Sequence, residues 1–256
     1  MDIVQFILSN SSTFLFVLTR TASIIFTAPV FGAVNVPMQV KMGLTVLIAL
    51  ILSPLAPYVA MPETTLGMTV SLAGEAMIGA SIGLCMRFVF TGIEFAAQVA
   101  SFQMGIGMAS AYDPINGAQV TVLGKLMSIF TLLLFLSVNG HLMIIMALEK
   151  SFEIIPPYGF HFSGALMENI IVFSREIFIL AVKFSAPVIA ILIFINVALG
   201  IMARTVPQLN MFVVGFAVTI FAGFVMIALS MPVFETASQA VFERMWEGVF
   251  SLIRVM

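Results

Sequence analysis

The chain is short of charge, of cysteine and of every residue cluster that ordinarily carries chemistry. Only 9% of its 256 residues are charged, ten Lys or Arg against twelve Asp or Glu, where a soluble domain carries about a quarter. So few charges cannot cover the surface of a soluble fold, which places the chain in or against lipid. The formal net charge of -2 and the lack of any Lys/Arg block exclude the electrostatic footprint that nucleic acid requires. A single cysteine, Cys85, excludes an internal disulfide and any cysteine-based zinc site, and it reads as a small buried apolar side chain. HExxH, GxSxG, Asp-rich and nucleotide-binding signatures are missing too. No cofactor, no metal and no enzymatic activity are expected. The opening MDIVQFILSN has no basic segment or small-residue cleavage site, so it reads as the start of a first helix and not as a removable signal peptide.

What is present is apolar: 61% of the residues, interrupted by eleven prolines and eighteen glycines. Residues 21–40, 42–62, 126–148, 184–203 and 205–234 contain no Asp, Glu, Lys or Arg. A helix needs roughly 20 apolar residues to cross the hydrocarbon core. Inside lipid the backbone must satisfy its own hydrogen bonds, and continuous apolar runs select helices over a barrel with its period-two alternation. The expected fold is an all-α membrane protein of long broken helices and helical hairpins, with no two-domain split and no internal repeat.

Helices are predicted over about 3–27, with Arg20 near its end, 39–55, from 66 onward, 124–148, 173–203 and 207–231. Residues 149–172 read as an aqueous loop with a short helix at its end. Gly79 and Gly83 form a GxxxG spacing that lets two helix backbones approach closely. In 233–254, Phe242, Trp246, Val249 and Ile253 recur near helical spacing, opposed by Glu243, Glu247 and Arg254. This tail is expected at a membrane interface, with the only tryptophan in the aromatic belt. Segment 95–122 begins as an Ala-rich helix and loses order at Gly105, Gly107, Asp113, Pro114 and Gly117. Irregular backbone at membrane depth is tolerated only inside protein or beside a watery cavity, so this segment is the leading functional candidate.

Arg20, Lys41, Glu75, Arg87, Glu94, Lys125, Lys183 and Arg204 lie within or at the ends of apolar segments. They are expected to pair, snorkel or face protein, because an isolated charge in lipid is costly. Arg20, Lys41, Glu75, Arg87 and Arg204, with Asn139, His141, Pro207, Gln208 and Asn210, are the expected assembly contacts; a proton or ion relay is the alternative. His141 could in principle serve as a base, yet no nucleophile or metal partner accompanies it in the pattern. The nineteen methionines fill helix packing gaps, and only Met104 and Met108, flanking the glycines of the broken segment, suit a compliant seal.

Four motifs occur in order along the chain: RTASIIFTAPVFGAVNVPMQVKMGL at 20–44, SFQMGIGMASAYDP at 101–114, LLLFLSVNGHL at 132–142 and ARTVPQLNMFVVGFAVTIFAGF at 203–224. Together they resemble the FliR family of flagellar export-gate proteins, relatives of the injectisome component SctT, over essentially the whole chain. The resemblance implies a FliP-like part over 1–172, a FliQ-like hairpin over 173–231 and an amphipathic tail over 232–256. It implies assembly with FliP, FliQ and an FlhB-like protein into an inner-membrane gate of the flagellar basal body, through which unfolded protein substrates pass. Part of such a gate stands above the membrane plane, which would shelter the charges from lipid. It also implies a pore-plugging loop of Gly105, Ile106, Gly107, Met108, Ala109, Tyr112, Asp113 and Pro114. There the glycines would permit a non-helical path, Ile106, Met108 and Tyr112 would fill the lumen, and Asp113 and Pro114 would end the loop. One departure is Ala217, where the family pattern leads to a proline and a kinked last helix. The injectisome component is the near alternative. More distant ones are a transporter of a small polar solute with broken helices near Gly105 and Pro207, for which the two halves show no symmetry, and an intramembrane hydrolase centred on His141.

Overall fold

The computed structural model describes residues 11–32, 36–58, 64–106, 122–206, 208 and 210–256, and every regular element among them is helical. Seven helices follow in these residues: α1 (Ser11–Thr27), α2 (Met38–Leu52), α3 (Thr65–Met104), α4 (Val122–Ser137), α5 (Gly140–Ile154), α6 (Gly164–Thr205) and α7 (Met211–Val255). Three stretches, α3, α6 and the Val213–Val255 part of α7, are long and apolar enough to cross a membrane. The chain is an all-helical membrane protein.

Local chemistry sets where the helices start and stop. Thr64 Oγ1 accepts a hydrogen bond from the Gly67 N–H at 3.1 Å, Ser163 Oγ from Leu166 N–H at 3.1 Å, and Asn210 Oδ1 from Val213 N–H at 3.4 Å. Each satisfies one of the orphan donors at the start of α3, α6 and α7. α2 stops at Leu52, short of the predicted Leu55, because Pro54 has no N–H to continue the ladder. The predicted helix 124–148 is two helices. Asn139, at φ 58°, takes the left-handed conformation that asparagine tolerates better than most residues, and it separates α4 from α5. Helical structure then runs on to Ile154, so Glu149, Lys150 and Glu153 ride on α5 instead of a loop. α6 begins at Gly164, not 173, and α7 continues as helix past Ala217 and Pro232 and through the predicted tail to Val255.

The chain forms two compact units that no linker composition marks. The first comprises Met1–Phe88, Asn139–Ser174 and Phe242–Met256; the second comprises Val89–Val138 and Arg175–Val241. In the first, α1 buries Phe16, Val17, Arg20, Ile24 and Ile25 at helical spacing and packs on α2 and α5. The Gly79/Gly83 pair receives α1 of the same chain: a Cβ on Gly79 would meet Arg20 O at 2.5 Å, and one on Gly83 would run into Thr27. The end of α7 completes this unit. Phe242, Trp246, Val249 and Ile253 are at most 6% exposed, while Glu243, Glu247 and Arg254 face outward. The amphipathic pattern is as predicted, but the apolar stripe meets protein and not a membrane interface, and Trp246 is not in a belt. Ser163 Oγ, while capping α6, also donates to Val255 O at 2.9 Å, and the His161 N–H donates to Met256 O at 3.0 Å.

The second unit is held by apolar packing. Ala97, Ala100 and Met104 of α3, Leu123 and Met127 of α4, and Val188 and Leu192 of α6 form one buried cluster, flanked by Met226, Ile227 and Met231 of α7. Phe194 (73% exposed) on α6 and Phe221 and Leu229 (both 71%) on α7 leave apolar surface far beyond what a soluble monomer shows.

The glycines give a matched test. Gly79→Ala is expected to destabilise the purified protein, since the new methyl group meets backbone, whereas Gly43→Ala on α2, with nothing within 4 Å of its Cβ, should be neutral or stabilising by about 0.5–1 kcal/mol. Unfolding midpoints in detergent separate the two. Ser163→Ala should lower the midpoint as well, by the equivalent of about 1 kcal/mol for the cap.

Candidate functional site

Two places in the chain break the rules of an apolar helical protein: a buried ion pair in the first unit and a broken helix in the second. The ion pair joins α1, α3 and α5. Arg20 Nε donates to Glu75 Oε2 at 2.6 Å, with the two side chains 0% and 1% exposed. Arg20 Nη1 donates to Ser151 O at 2.7 Å and Ser151 Oγ at 3.1 Å, and Nη2 donates to Ile155 O at 3.1 Å. The guanidinium carbon lies 4.0 Å from the centre of the Phe152 ring, a cation–π arrangement. Arg20 thus sits at the C-terminal end of α5, where helix carbonyls carry partial negative charge and lack intrahelical donors. Glu75 receives a second hydrogen bond from the backbone N–H of Tyr158.

That Tyr158 amide is held in place by a turn. Gly159 N–H donates to Pro156 O at 2.8 Å, which closes a four-residue turn with Pro157 and Tyr158 at its centre. Tyr158 has φ 70°, the third-position geometry that usually calls for glycine or asparagine. Its ring packs edge-on against Phe16 with centroids 5.1 Å apart. Sequence reasoning found Arg20 and Glu75 but not the other partners of Arg20, because main-chain carbonyls 131 and 135 residues away leave no sequence signal.

The other predicted assembly residues scatter. Arg20 and Glu75 satisfy each other inside the chain, which corrects the expectation that they reach partner subunits. Lys41 Nζ donates to Gly32 O at 3.2 Å. Asn139 is the left-handed residue before α5, and Asn210 caps α7. His141, near the start of α5, has a buried Nδ1 with no hydrogen-bond partner among the described residues. Arg87, Arg204 and Gln208 are exposed, and neither arginine makes an ion pair among the described residues. Pro207 lies outside the described residues. Among the described residues no three His, Cys, Asp or Glu side chains are grouped to hold a metal.

The second site is where α3 stops. After 40 helical residues the chain turns at Gly105, φ 88°, with Gly105 N–H donating to Phe102 O at 3.0 Å. A Cβ on Gly105 would lie 2.5 Å from the Phe216 ring, so glycine is required here both by conformation and by space. Ile106 packs against the buried cluster of α3, α4 and α6. Of the predicted plug residues, Gly105 and Ile106 are therefore placed, while Gly107, Met108, Ala109, Tyr112, Asp113 and Pro114 lie outside the described residues. A neighbouring cavity of about 40 Å³ is lined by Ala97, Ala100, Leu123, Met127 and Met231. It has room for about one water, and its walls are apolar apart from Ser230, whose hydroxyl donates back to Met226 O at 2.7 Å, which does not suit a polar solute.

Arg20→Ala and Glu75→Ala should each destabilise the protein by about 3–5 kcal/mol by stranding a buried charge. The double variant Arg20→Ala/Glu75→Ala should cost less than the sum of the two single losses, read as unfolding midpoints in a double-mutant cycle. Gly105→Ala should cost about 1–3 kcal/mol from strain alone, measured the same way.

The sequence matches the model of bacterial export proteins, family 1, over residues 11–245. It is 33% identical over 240 residues to the flagellar biosynthetic protein FliR of Pectobacterium carotovorum, covering 92% of this chain and 90% of that one. It is 32% identical over 250 residues to FliR of Bacillus subtilis, covering 95% of each, and 30% identical over 236 residues to FliR of Escherichia coli, covering 92% and 90%. Matched over nearly its whole length, the chain belongs to family 1 of the bacterial export proteins, alongside these FliR proteins.

Proposed function

We propose that this chain is a subunit of the flagellar type III export gate, a non-enzymatic channel component of the bacterial inner membrane at the flagellar basal body. In this reading it assembles with FliP-like and FliQ-like subunits and meets an FlhB-like protein, and unfolded flagellar substrates pass through the assembly. The observation that carries the reading is a membrane-length helix, α3, ended by a left-handed glycine, in a chain matched to export proteins over residues 11–245. A spanning helix that stops at such a residue needs protein or a watery lumen around the backbone that follows. Gly105 to Ala109, with Tyr112, Asp113 and Pro114, are the proposed plug, closing the lumen with Ile106, Met108 and Tyr112.

The exposed apolar faces of α6 and α7 support assembly, since a FliQ-like hairpin over 173–231 would cover them with neighbouring helices and lipid. Exposed Arg87 and Arg204 on apolar helices are the proposed contacts for partner carboxylates, and exposed Gln208 is a further proposed assembly contact. The first 172 residues are the FliP-like part in this scheme.

Co-expression of the tagged chain with its FliP-like and FliQ-like partners, followed by native mass spectrometry in mild detergent, is expected to give a defined hetero-oligomer with this chain as a minority subunit. A lone monomer or homodimer, with both partners expressed, would refute the gate. Deleting residues 107–114 should raise the ion permeability of the reconstituted complex without changing its mass; an unchanged leak would remove the plug assignment.

A further inference from the structure

The last carbonyls of a helix have no donor within it, and Met104, which ends α3, is 0% exposed. Its carbonyl lies 3.2 Å from Thr219 Oγ1 on α7. The same hydroxyl has two acceptors on its own helix, Gly215 O at 2.9 Å and Phe216 O at 3.2 Å. A hydroxyl carries one hydrogen, so Thr219 either bonds back into α7 or closes the end of α3. The Met104 side chain meanwhile lies against Gly223, where a Cβ would come within 2.5 Å of Cγ and 2.7 Å of Sδ and Cε. One residue further on, the Phe216 ring fills the space beside Gly105.

Phe216, Thr219 and Gly223 are three and four residues apart and so share one face of α7. A ring, a hydroxyl and a missing side chain converge on Met104 and Gly105, where α3 stops. Met104 is the last buried α3 member of the cluster, with Ile106 packed against it, and Leu123 and Met127 of α4 are members too.

We propose that Phe216, Thr219 and Gly223 are positioning residues of the gate: they form a socket on α7 that fixes where α3 ends and hence the point from which the plug segment departs. This rests on the export-gate reading above. The socket is a reversible one. When α3 lifts out, the Thr219 hydroxyl returns to Gly215 or Phe216 and is not left unpaired, and the Met104 carbonyl alone needs a new donor, which water in an opened lumen supplies.

The test uses the full chain in complex with its FliP-like and FliQ-like partners, with ion flux measured in vesicles and mass by native mass spectrometry. Thr219→Val should raise the leak about fivefold, by loss of one hydrogen bond, while Thr219→Ser, which keeps the hydroxyl, stays at the wild-type level. Gly223→Ala should raise it about tenfold by expelling Met104, and adding Met104→Ala to Gly223→Ala should bring the leak back toward wild type. The mass of the complex should not change in any of these. Wild-type leak in both Thr219→Val and Gly223→Ala, in a complex that does leak when residues 107–114 are deleted, would overturn the socket. Failure of that deletion to leak overturns the underlying plug reading instead. If Gly223→Ala does not assemble, the Thr219→Val and Thr219→Ser pair decides alone.

Discussion

A guanidinium group cannot be left without partners in an apolar interior, and the first unit is arranged around that constraint. Arg20 is satisfied by a carboxylate from α3, a hydroxyl and two carbonyls at the end of α5, and the face of Phe152. Desolvating the pair cancels much of its attraction, so its net contribution to stability is small. Its effect on alternatives is larger. Sliding or rotating α1 would strand the charge of Arg20 away from these partners. Gly79, which lets α3 approach the backbone of Arg20, and the strained Tyr158, which delivers an N–H to Glu75, serve the same arrangement.

Among the described residues the second unit contains no buried ion pair. Its helices meet through alanine, methionine, leucine and β-branched side chains, with aromatic contacts such as Phe184 against Phe234 at 4.8 Å beside them. Methionine-rich packing adapts to displacement at low cost. The contrast suits a protein in which one part holds shape while another accommodates a change at the end of α3.

The helical class, the membrane setting and the break at Gly105 were legible in the sequence because each follows from local rules: run length, charge density and the conformational freedom of glycine. The same rules failed where a local pattern had two physical solutions. The stripe of Phe242, Trp246, Val249 and Ile253 demands an apolar neighbour but does not say whether that neighbour is lipid or protein. GxxxG at Gly79 demands a close backbone, and the chain supplies its own. Asn139 was visible as a polar residue within an apolar run, but its left-handed backbone was not, because asparagine also occurs within helices. At the second site, Thr219 and Gly223 read as ordinary residues of an apolar helix. Their relation to Met104, 115 residues before Thr219, exists only in three dimensions.

The end of α7 is built into the first unit, beside Phe173 and the segment 161–163. This sets an order of events during synthesis. A ribosome adds roughly 5–20 residues each second and domains tend to fold as they emerge, but here Arg20 and Glu75 are made long before Ser151, and Phe242 to Ile253 come later still. Arg20 and Glu75 can pair once α3 is made, but the first unit stays unfinished until the α5 carbonyls and then the final stretch arrive. Whatever shelters it during that interval, lipid headgroups or a chaperoning neighbour, is part of how this protein comes to exist.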